Sequence, residues 1–138
     1  KALKLDDSNP DYWFAMADAR YKLKQFAESE AAYLKVVELN PTDIEAWLDF
    51  SSTYFEQLKY VEAIDVMSEA IKANPEASEL YYRLVAYLFA NGQFNDALNF
   101  LELGLATDPE KHYILFDYLP QLQGNPIIID IINKYTDQ

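Results

Sequence analysis

Apolar residues recur along this chain at the spacing of an α-helix, in short runs that are separated by turn-forming residues. Trp13, Met16 and Ala17 follow the i, i+3, i+4 pattern, and Trp47 begins the same pattern further along the chain. A second run of the same kind follows each of these after a short break. The pattern therefore predicts consecutive pairs of short amphipathic helices, each pair joined by a turn.

The predicted helix pairs repeat with a period of 34 residues. Three sets of positions agree at this interval: Asn40-Pro41, Asn74-Pro75 and Asp108-Pro109; Trp13, Trp47 and Tyr81; and Phe26, Tyr60 and Phe94. A fixed period of roughly 20–50 residues is typical of proteins built from stacked repeats. The three copies occur without an insertion, and they assign repeat units to residues 10–43, 44–77 and 78–111.

Local signals mark the ends of the predicted helices. Asn9 followed by Pro10 suits an N-cap with proline at the first helical position. The proline of each Asn/Asp-Pro pair ends the preceding helix, because the residue before proline is pushed out of the α region. The sequence Thr42-Asp43-Ile44-Glu45 predicts a capping box with Thr42 as the N-cap.

Both ends of the chain extend the repeat pattern. Residues 1–6 match the columns of residues 35–40, so we expect residues 1–9 to end the second helix of a preceding repeat. We therefore interpret the chain as the C-terminal piece of a longer protein. Residues 112–119 predict another first helix that breaks at Pro120, and residues 126–135 predict a short final helix.

The segment 112–138 suits a capping role, because the last repeat of a solenoid needs an atypical element to cover its apolar face. The alternative is a segment that docks onto a partner or into the groove of its own chain. The apolar cluster expected to form the cap is Ile127, Ile128, Ile131 and Ile132.

The repeat resembles the tetratricopeptide repeat (TPR) family. The second copy carries the family's pattern most fully, in Trp47, Phe50-Ser51, Tyr54, Tyr60, Ala63, Met67, Ala70 and Pro75. Departures are Arg20 in place of the usual tyrosine, Val36 in place of alanine, and Val85 in place of a small residue. The resemblance implies an all-α fold, a right-handed TPR superhelix in which antiparallel helix pairs form an α-solenoid. It also implies a non-catalytic scaffold that binds proteins or peptides in a concave groove lined by the first helices.

The family places its ligand contacts on one stripe of each first helix. Two columns of that stripe hold an aromatic residue or leucine in every copy, and acidic residues (Asp11, Asp18, Glu45, Asp49 and Glu79) form its rim. Such a strip suits a peptide with apolar anchors and some basic residues. The residues expected to contact the peptide are Phe14, Asp18, Tyr21, Leu48, Ser52, Phe55, Tyr82, Arg83, Phe89 and Phe116.

One known activity of the family is excluded by this register. Chaperone-binding TPRs hold a C-terminal carboxylate with Lys, Asn, Asn, Lys and Arg on three successive first helices. The matching positions hold Phe14, Asp18, Asp49, Glu79 and Arg83, of which only Arg83 agrees. Three acidic side chains would repel a carboxylate at close range, so the clamp is absent.

Composition narrows the partners and argues against catalysis. A net charge of −12 makes nucleic acid and anionic lipid poor partners, and no stretch reaches the roughly 20 apolar residues of a membrane span. The 138 residues include no cysteine and three glycines, which removes thiol chemistry and argues against phosphate-cradling loops. The one histidine, His112, lies in no recognisable catalytic motif, and no spacing supplies a metal site. We therefore expect no enzymatic activity, no metal and no cofactor.

A second function class stays open beside the peptide-binding scaffold. The N-terminal end of the chain carries Leu3 and Leu5, which would be exposed where a preceding repeat is missing. We expect this end to support a homodimer, so the alternative function is a self-association module of a larger multidomain protein. A cytoplasmic location is expected, although the absence of cysteine fits the periplasm equally. The segment after Pro109 resembles the ends of bacterial TPR proteins, which suggests a bacterial source.

Overall fold

A computed structural model describes residues 8–136, which form a stack of antiparallel helix pairs. Within this range there is no strand, and the predicted all-α solenoid is confirmed. The predicted helix end at residues 1–9, with Leu3 and Leu5, falls almost entirely outside the described residues. The helices are α1 (Pro10–Lys22), α2 (Phe26–Leu39), α3 (Ile44–Glu56), α4 (Tyr60–Ala73), α5 (Ser78–Ala90), α6 (Phe94–Thr107), α7 (Tyr113–Tyr118) and α8 (Pro126–Thr136).

The turn inside each helix pair has the same backbone in all three copies. Lys24, Leu58 and Gly92, spaced by 34 residues, have φ angles of 59°, 63° and 78°. In the first turn the next amide, Gln25 N–H, donates to the carbonyl of Arg20 at 2.9 Å, which closes a Schellman-type helix end. Glycine adopts this left-handed conformation without strain, so two of the three turns hold a residue that disfavours it.

The turn between helix pairs is held by the aromatic column that reveals the period. The Trp47 indole N–H donates to the carbonyl of Pro41 at 2.8 Å, and the Tyr81 hydroxyl donates to the carbonyl of Pro75 at 2.7 Å. Each side chain thus ties the start of a first helix to the turn six residues earlier. Tyrosine replaces tryptophan in this column because both present a polar donor at the end of a large ring.

The predicted N-cap at Asn9 is confirmed, whereas the predicted capping box is wrong. The Asn9 side chain accepts a hydrogen bond from the Asp11 amide at 2.9 Å. The next first helix begins at Ile44, so its N-cap is Asp43, whose carboxylate accepts from the Ala46 amide at 3.1 Å. Thr42 lies one position too early to cap this helix, and its hydroxyl donates to the Asn40 side chain instead.

Contacts between successive pairs show which helices form the inner side of the stack. Helix α3 packs against α5, and α5 packs against α7, whereas the second helices α2, α4 and α6 make no comparable contact with one another among the described residues. The stack therefore curves with its first helices inside. We call the surface formed by α1, α3 and α5 the concave face.

Packing in the third copy differs from packing in the other two. Tyr82 is fully buried, and its hydroxyl donates to the carbonyl of Asp108 at 2.8 Å. Its ring lies against Gly104, where an added Cβ would come within 3.2 Å of both Tyr82 and Tyr81. The matching column holds Val36 and Ala70 in the other copies. The glycine therefore makes the space that the buried ring occupies.

The C-terminal segment contacts two different surfaces of the stack. Helix α7 packs against α5 as the first helix of a fourth pair would, while α8 packs against α6. Of the predicted apolar cluster, Ile128 and Ile132 are buried, and Ile127 is 59% exposed. Helix α8 thus covers the last second helix with two of its isoleucines, while the shorter α7 lies next to the concave face.

Candidate functional site

A cavity opens on the concave face between the first two helix pairs. Its volume is about 270 Å³. Helix α1 contributes two side chains to the wall, α2 contributes one, and α3 contributes three. The cavity thus lies between the first helices of two successive repeats, and one side chain of the second helix α2 reaches it. The lining residues are Asp18, Tyr21, Tyr33, Asp49, Ser52 and Glu56. Three of the residues predicted to contact a ligand, namely Asp18, Tyr21 and Ser52, are thus brought together.

A hydrogen bond joins the two first helices at this cavity. The Tyr21 hydroxyl of α1 donates to the Glu56 carboxylate of α3. Toward solvent, Asp18 forms an ion pair with Lys22 one helical turn later, at 3.1 Å between the charged groups. Since both of these partners are well exposed, the pair contributes little to stability.

The cavity carries three carboxylates, of which Asp18 is paired with Lys22, Glu56 accepts the Tyr21 hydrogen bond and Asp49 is unpaired. Asp49 makes no hydrogen bond or ion pair through its carboxylate among the described residues. Burial, together with the nearby carboxylates of Glu45, Asp18 and Asp43, raises the pKa of Asp49 to about 6 against the opposing effect of Arg83. Burial, followed by the same acidic surroundings, also raises the pKa of the Tyr33 hydroxyl. The site is therefore built to favour positive charge.

Arg83, the basic residue predicted to contact a ligand, is engaged within the fold. One of its terminal nitrogens donates to the Ser52 hydroxyl at 2.8 Å and to the Tyr87 hydroxyl at 3.1 Å. The Tyr87 hydroxyl also lies 2.7 Å from the hydroxyl of Ser51. These contacts hold the guanidinium between α3 and α5, so it forms no ion pair with Asp49 among the described residues.

Tyr118 of α7 covers this part of the concave face. Its ring lies 4.3 Å from the Arg83 guanidinium, in a cation–π arrangement. Its centroid is also 5.3 Å from the ring of Phe55 and 5.6 Å from that of Tyr87. The C-terminal segment therefore occupies the groove between α3 and α5, and Phe55 and Arg83 lie beneath it rather than on an open surface.

The expectation that Tyr82 contacts a ligand is wrong, because the residue has no exposed surface. The equivalent residues of the other copies, Phe14 and Leu48, are only partly buried. Phe14 packs edge-on against Tyr33 with 5.9 Å between ring centroids. The continuous apolar strip expected along the three first helices is therefore interrupted at the third.

Phe89 lies outside the acidic cavity, at the edge of an apolar groove. This groove, of about 380 Å³, runs between the α5–α6 turn and the start of α8. Phe94, one of its walls, is 58% exposed. Phe116, the last residue of the predicted strip, is partly buried on α7, and its ring lies 6.1 Å from that of His112.

Four residues of the concave face were not among those predicted to contact a ligand: Asp49, which was expected only at the acidic rim, Glu56, Tyr33 and Tyr118. Tyr33 belongs to a second helix, and the same column holds Met67 and Leu101 in the other copies. The signal that could have identified Tyr33 is its hydroxyl, at a repeat position where the other two copies hold apolar residues. Tyr118 lies in the segment interpreted as a cap, and no sequence pattern indicates that its ring reaches α3.

The described residues offer no arrangement that favours metal chemistry or a membrane span. Within residues 8–136, no group of three or more His, Asp or Glu side chains could hold a metal ion. Nδ1 of His112 lies 2.8 Å from the carbonyl of Pro109, where the ring sits at the end of a short 3₁₀ turn. Over the same range no helix is long and apolar enough to cross a bilayer.

Stacked antiparallel helix pairs with an open inner surface define this chain as an α-solenoid repeat protein. Sequence models of the tetratricopeptide repeat match residues 10–43 and residues 54–114. The chain belongs to the tetratricopeptide repeat family, as its 34-residue period and aromatic columns indicate. No curated protein matches the chain.

Solved structures share the fold at low sequence identity. The TPR2B domain of yeast Sti1 in a complex with pHsp70 has a TM-score of 0.63 and 16% identity, over 94% of this chain and 97% of that one. The first TPR of Spaghetti (RPAP3), bound to the HSP90 peptide SRMEEVD, has a TM-score of 0.64 and 19% identity, over 88% of this chain and 98% of that one. MamA of Desulfovibrio magneticus RS-1 has a TM-score of 0.64 and 18% identity, over 94% of this chain and 75% of that one. At these identities the likeness extends to the fold alone.

Proposed function

We propose that this chain is a non-catalytic scaffold that binds a protein or peptide on its concave face, in the cavity between the first two helix pairs. The observation that supports this most directly is the cavity itself, which is lined by side chains of three helices and open to solvent. Proteins of the same fold include two whose structures are complexes, one with pHsp70 and one with an HSP90 peptide.

Because the cavity is acidic, its ligand should differ in charge from the peptide bound by RPAP3. The sequence SRMEEVD carries three acidic side chains against one arginine. The cavity presents Asp18, Asp49 and Glu56, so an acidic tail would meet like charge in a partly buried site. We therefore propose a partner segment that brings basic side chains, together with apolar anchors for the adjoining Phe14 and Leu48.

The test is a selection of peptides from a random phage-displayed library on the folded chain. Asp18→Arg places a long cation in the cavity mouth and should abolish binding of the selected peptides. Asp65→Arg is the matched control, because Asp65 is exposed on the second helix α4 and lines the outer groove between α2 and α4. Peptides that bind both variants as well as the original chain would place the binding surface elsewhere and refute the proposal.

A further inference from the structure

The hydroxyl of Tyr33 is the least expected feature of the cavity wall. The residue is 3% exposed, yet its hydroxyl makes no hydrogen bond among the described residues. Tyr33 lines the cavity, and its ring is held from the sides by Phe14 and by Phe50, at 5.9 and 6.2 Å between centroids. The hydroxyl oxygen is therefore free to accept a hydrogen bond from a donor that enters the cavity, and a donor supplied by a ligand would be favourable there.

The groups around this hydroxyl are acceptors of hydrogen bonds. The carboxylates of Asp18, Asp49 and Glu56 are the charged groups of the cavity lining. Glu45 also lies close enough to act electrostatically on the Tyr33 hydroxyl. Two cations lie nearby, and both are engaged. Lys22 pairs with Asp18 at the exposed edge, while Arg83 donates to hydroxyl groups on α3 and α5.

We propose that the cavity binds the guanidinium group of an arginine side chain presented by the partner. This inference rests on the proposed function and names the chemistry of its ligand. A guanidinium offers five N–H donors in a plane, enough to reach two carboxylates and the Tyr33 oxygen together. An ammonium offers three donors from one point and is more strongly hydrated, so the partly buried site favours arginine over lysine.

The concave face already holds one guanidinium in a comparable setting. Arg83 lies against the face of the Tyr118 ring and donates to the hydroxyls of Ser52 and Tyr87. Aromatic faces and hydroxyl acceptors on first helices thus accommodate a planar cation in this fold. In the cavity, Tyr21 supplies an aromatic ring, Tyr33 supplies a hydroxyl oxygen, and the carboxylates supply the counter-charge that Arg83 lacks.

A metal ion is a poorer occupant of the same cavity. Metal binding requires several carboxylate oxygens converging on one point, and the described residues contain no such group of three. The carboxylates instead line a cavity of about 270 Å³, which suits an extended cation whose donors point in different directions.

The experiment compares three small probes on the chain at neutral pH by NMR titration: the N-acetyl methylamides of arginine, lysine and citrulline. Citrulline has the shape of arginine without its charge. We expect arginine to bind at least about tenfold more tightly than citrulline and several-fold more tightly than lysine. The largest shifts should fall on the Asp49 carboxyl and Tyr33 ring signals. Equal affinity for arginine and citrulline, or for arginine and lysine, would overturn the proposal.

Two conservative variants locate the binding. Asp49→Asn should weaken arginine binding by about tenfold, and Tyr33→Phe should weaken it by about three- to fivefold, because each removes one interaction and little volume. Asp65→Asn, on the outer groove, should change it less than about twofold, since its charge is screened from the cavity. Arginine binding that is unaffected by both cavity variants would overturn the proposal.

Failure of this inference is distinguishable from failure of the scaffold itself. Selected peptides that are blocked by Asp18→Arg but contain no arginine would overturn the arginine assignment and leave the concave face as the binding surface. Selected peptides whose binding is unaffected by Asp18→Arg would refute the proposal that the scaffold binds its partner on this face, whatever the peptides' composition.

Discussion

Replacing Asp49 by asparagine should stabilise the folded chain at neutral pH. The side chain is half-buried, faces other carboxylates, and has no hydrogen bond or ion pair through its carboxylate in the described range. Asparagine keeps the shape of the side chain and removes the charge. The substitution therefore removes the cost of burying a charge and the repulsion from nearby carboxylates, without leaving a cavity or an unpaired partner.

The magnitude follows from the pKa of Asp49, which burial and the neighbouring carboxylates together raise from an ordinary 3.8 to about 6. At about 1.4 kcal/mol per unit of pKa, this shift corresponds to about 3 kcal/mol before solvent screening is considered. Solvent screens a half-exposed group, so we reduce this to about 1–2 kcal/mol. The free energy of unfolding of Asp49→Asn should exceed that of the original chain by this amount at pH 7.

The sign of the pH dependence provides a second check. Because the pKa is higher in the folded state, the folded chain holds a proton that the unfolded chain releases between about pH 4 and pH 6. The contribution of Asp49 to stability is therefore complete below about pH 4 and is lost as the pH rises through 6. The advantage of Asp49→Asn should shrink toward zero as the pH is lowered to about 4.

Urea unfolding followed by circular dichroism at several values between pH 4 and pH 8 measures both effects. Asp65→Asn is the control, because its exposed carboxylate should change the free energy of unfolding by less than about 0.5 kcal/mol. Equal stability of Asp49→Asn and the original chain at pH 7 would refute the reasoning. An advantage that is the same at pH 4 and pH 7 would refute its electrostatic origin.

Three further changes test the turns and the packing by the same unfolding assay. Leu58→Gly should stabilise the chain by about 0.5–1 kcal/mol, since its φ of 63° favours glycine and its side chain is 72% exposed. Gly104→Ala should destabilise it by about 1–3 kcal/mol, because the added Cβ meets the buried ring of Tyr82 at 3.2 Å. Tyr118→Ala should cost about 2 kcal/mol through the lost ring and cation–π contacts, and hydrogen exchange should show loss of protection in α7.

Each of these changes has a matched comparison. Leu23→Gly, at a turn position with negative φ, should not stabilise the chain, and a gain equal to that of Leu58→Gly would contradict the strain argument. Gly104→Ala in a Tyr82→Leu background should lose part of its cost, because the contact with the Tyr81 Cβ at 3.2 Å remains; an unchanged cost would mean that the Tyr82 ring is not an obstacle. Tyr118→Phe keeps the ring contacts, so a loss as large as that of Tyr118→Ala would contradict their importance.

The helix pairs and their period could be predicted from the sequence because their signals are local and occur three times. Asn9 caps α1, and the prolines and aromatic residues of the turns recur every 34 residues. The predicted cap at Thr42 was wrong because the helix begins one residue later than that cap requires, which makes Asp43 the N-cap. The positive φ shared by Lys24, Leu58 and Gly92 was not predictable from the first two residues, since neither favours it.

The candidate site was predicted in part. The stripe of each first helix indicated Asp18, Tyr21 and Ser52, which do line one cavity. It also indicated Tyr82, which is buried because Gly104 behind it leaves room for the ring. A single-helix pattern places a residue on a face but does not show what packs against that face.

By itself the sequence determined the class of fold, the 34-residue length of each repeat with its two helices, and the acidic residues along the first helices. These properties depend on hydrophobic spacing, on turn residues and on composition, all of which act over a few residues or sum over the chain. Only the tertiary structure decided that Tyr33 reaches the cavity from a second helix and that Tyr118 of α7 covers Arg83. The reason is that such contacts join segments distant in sequence, whose side chains compete for the same space once the helices have stacked.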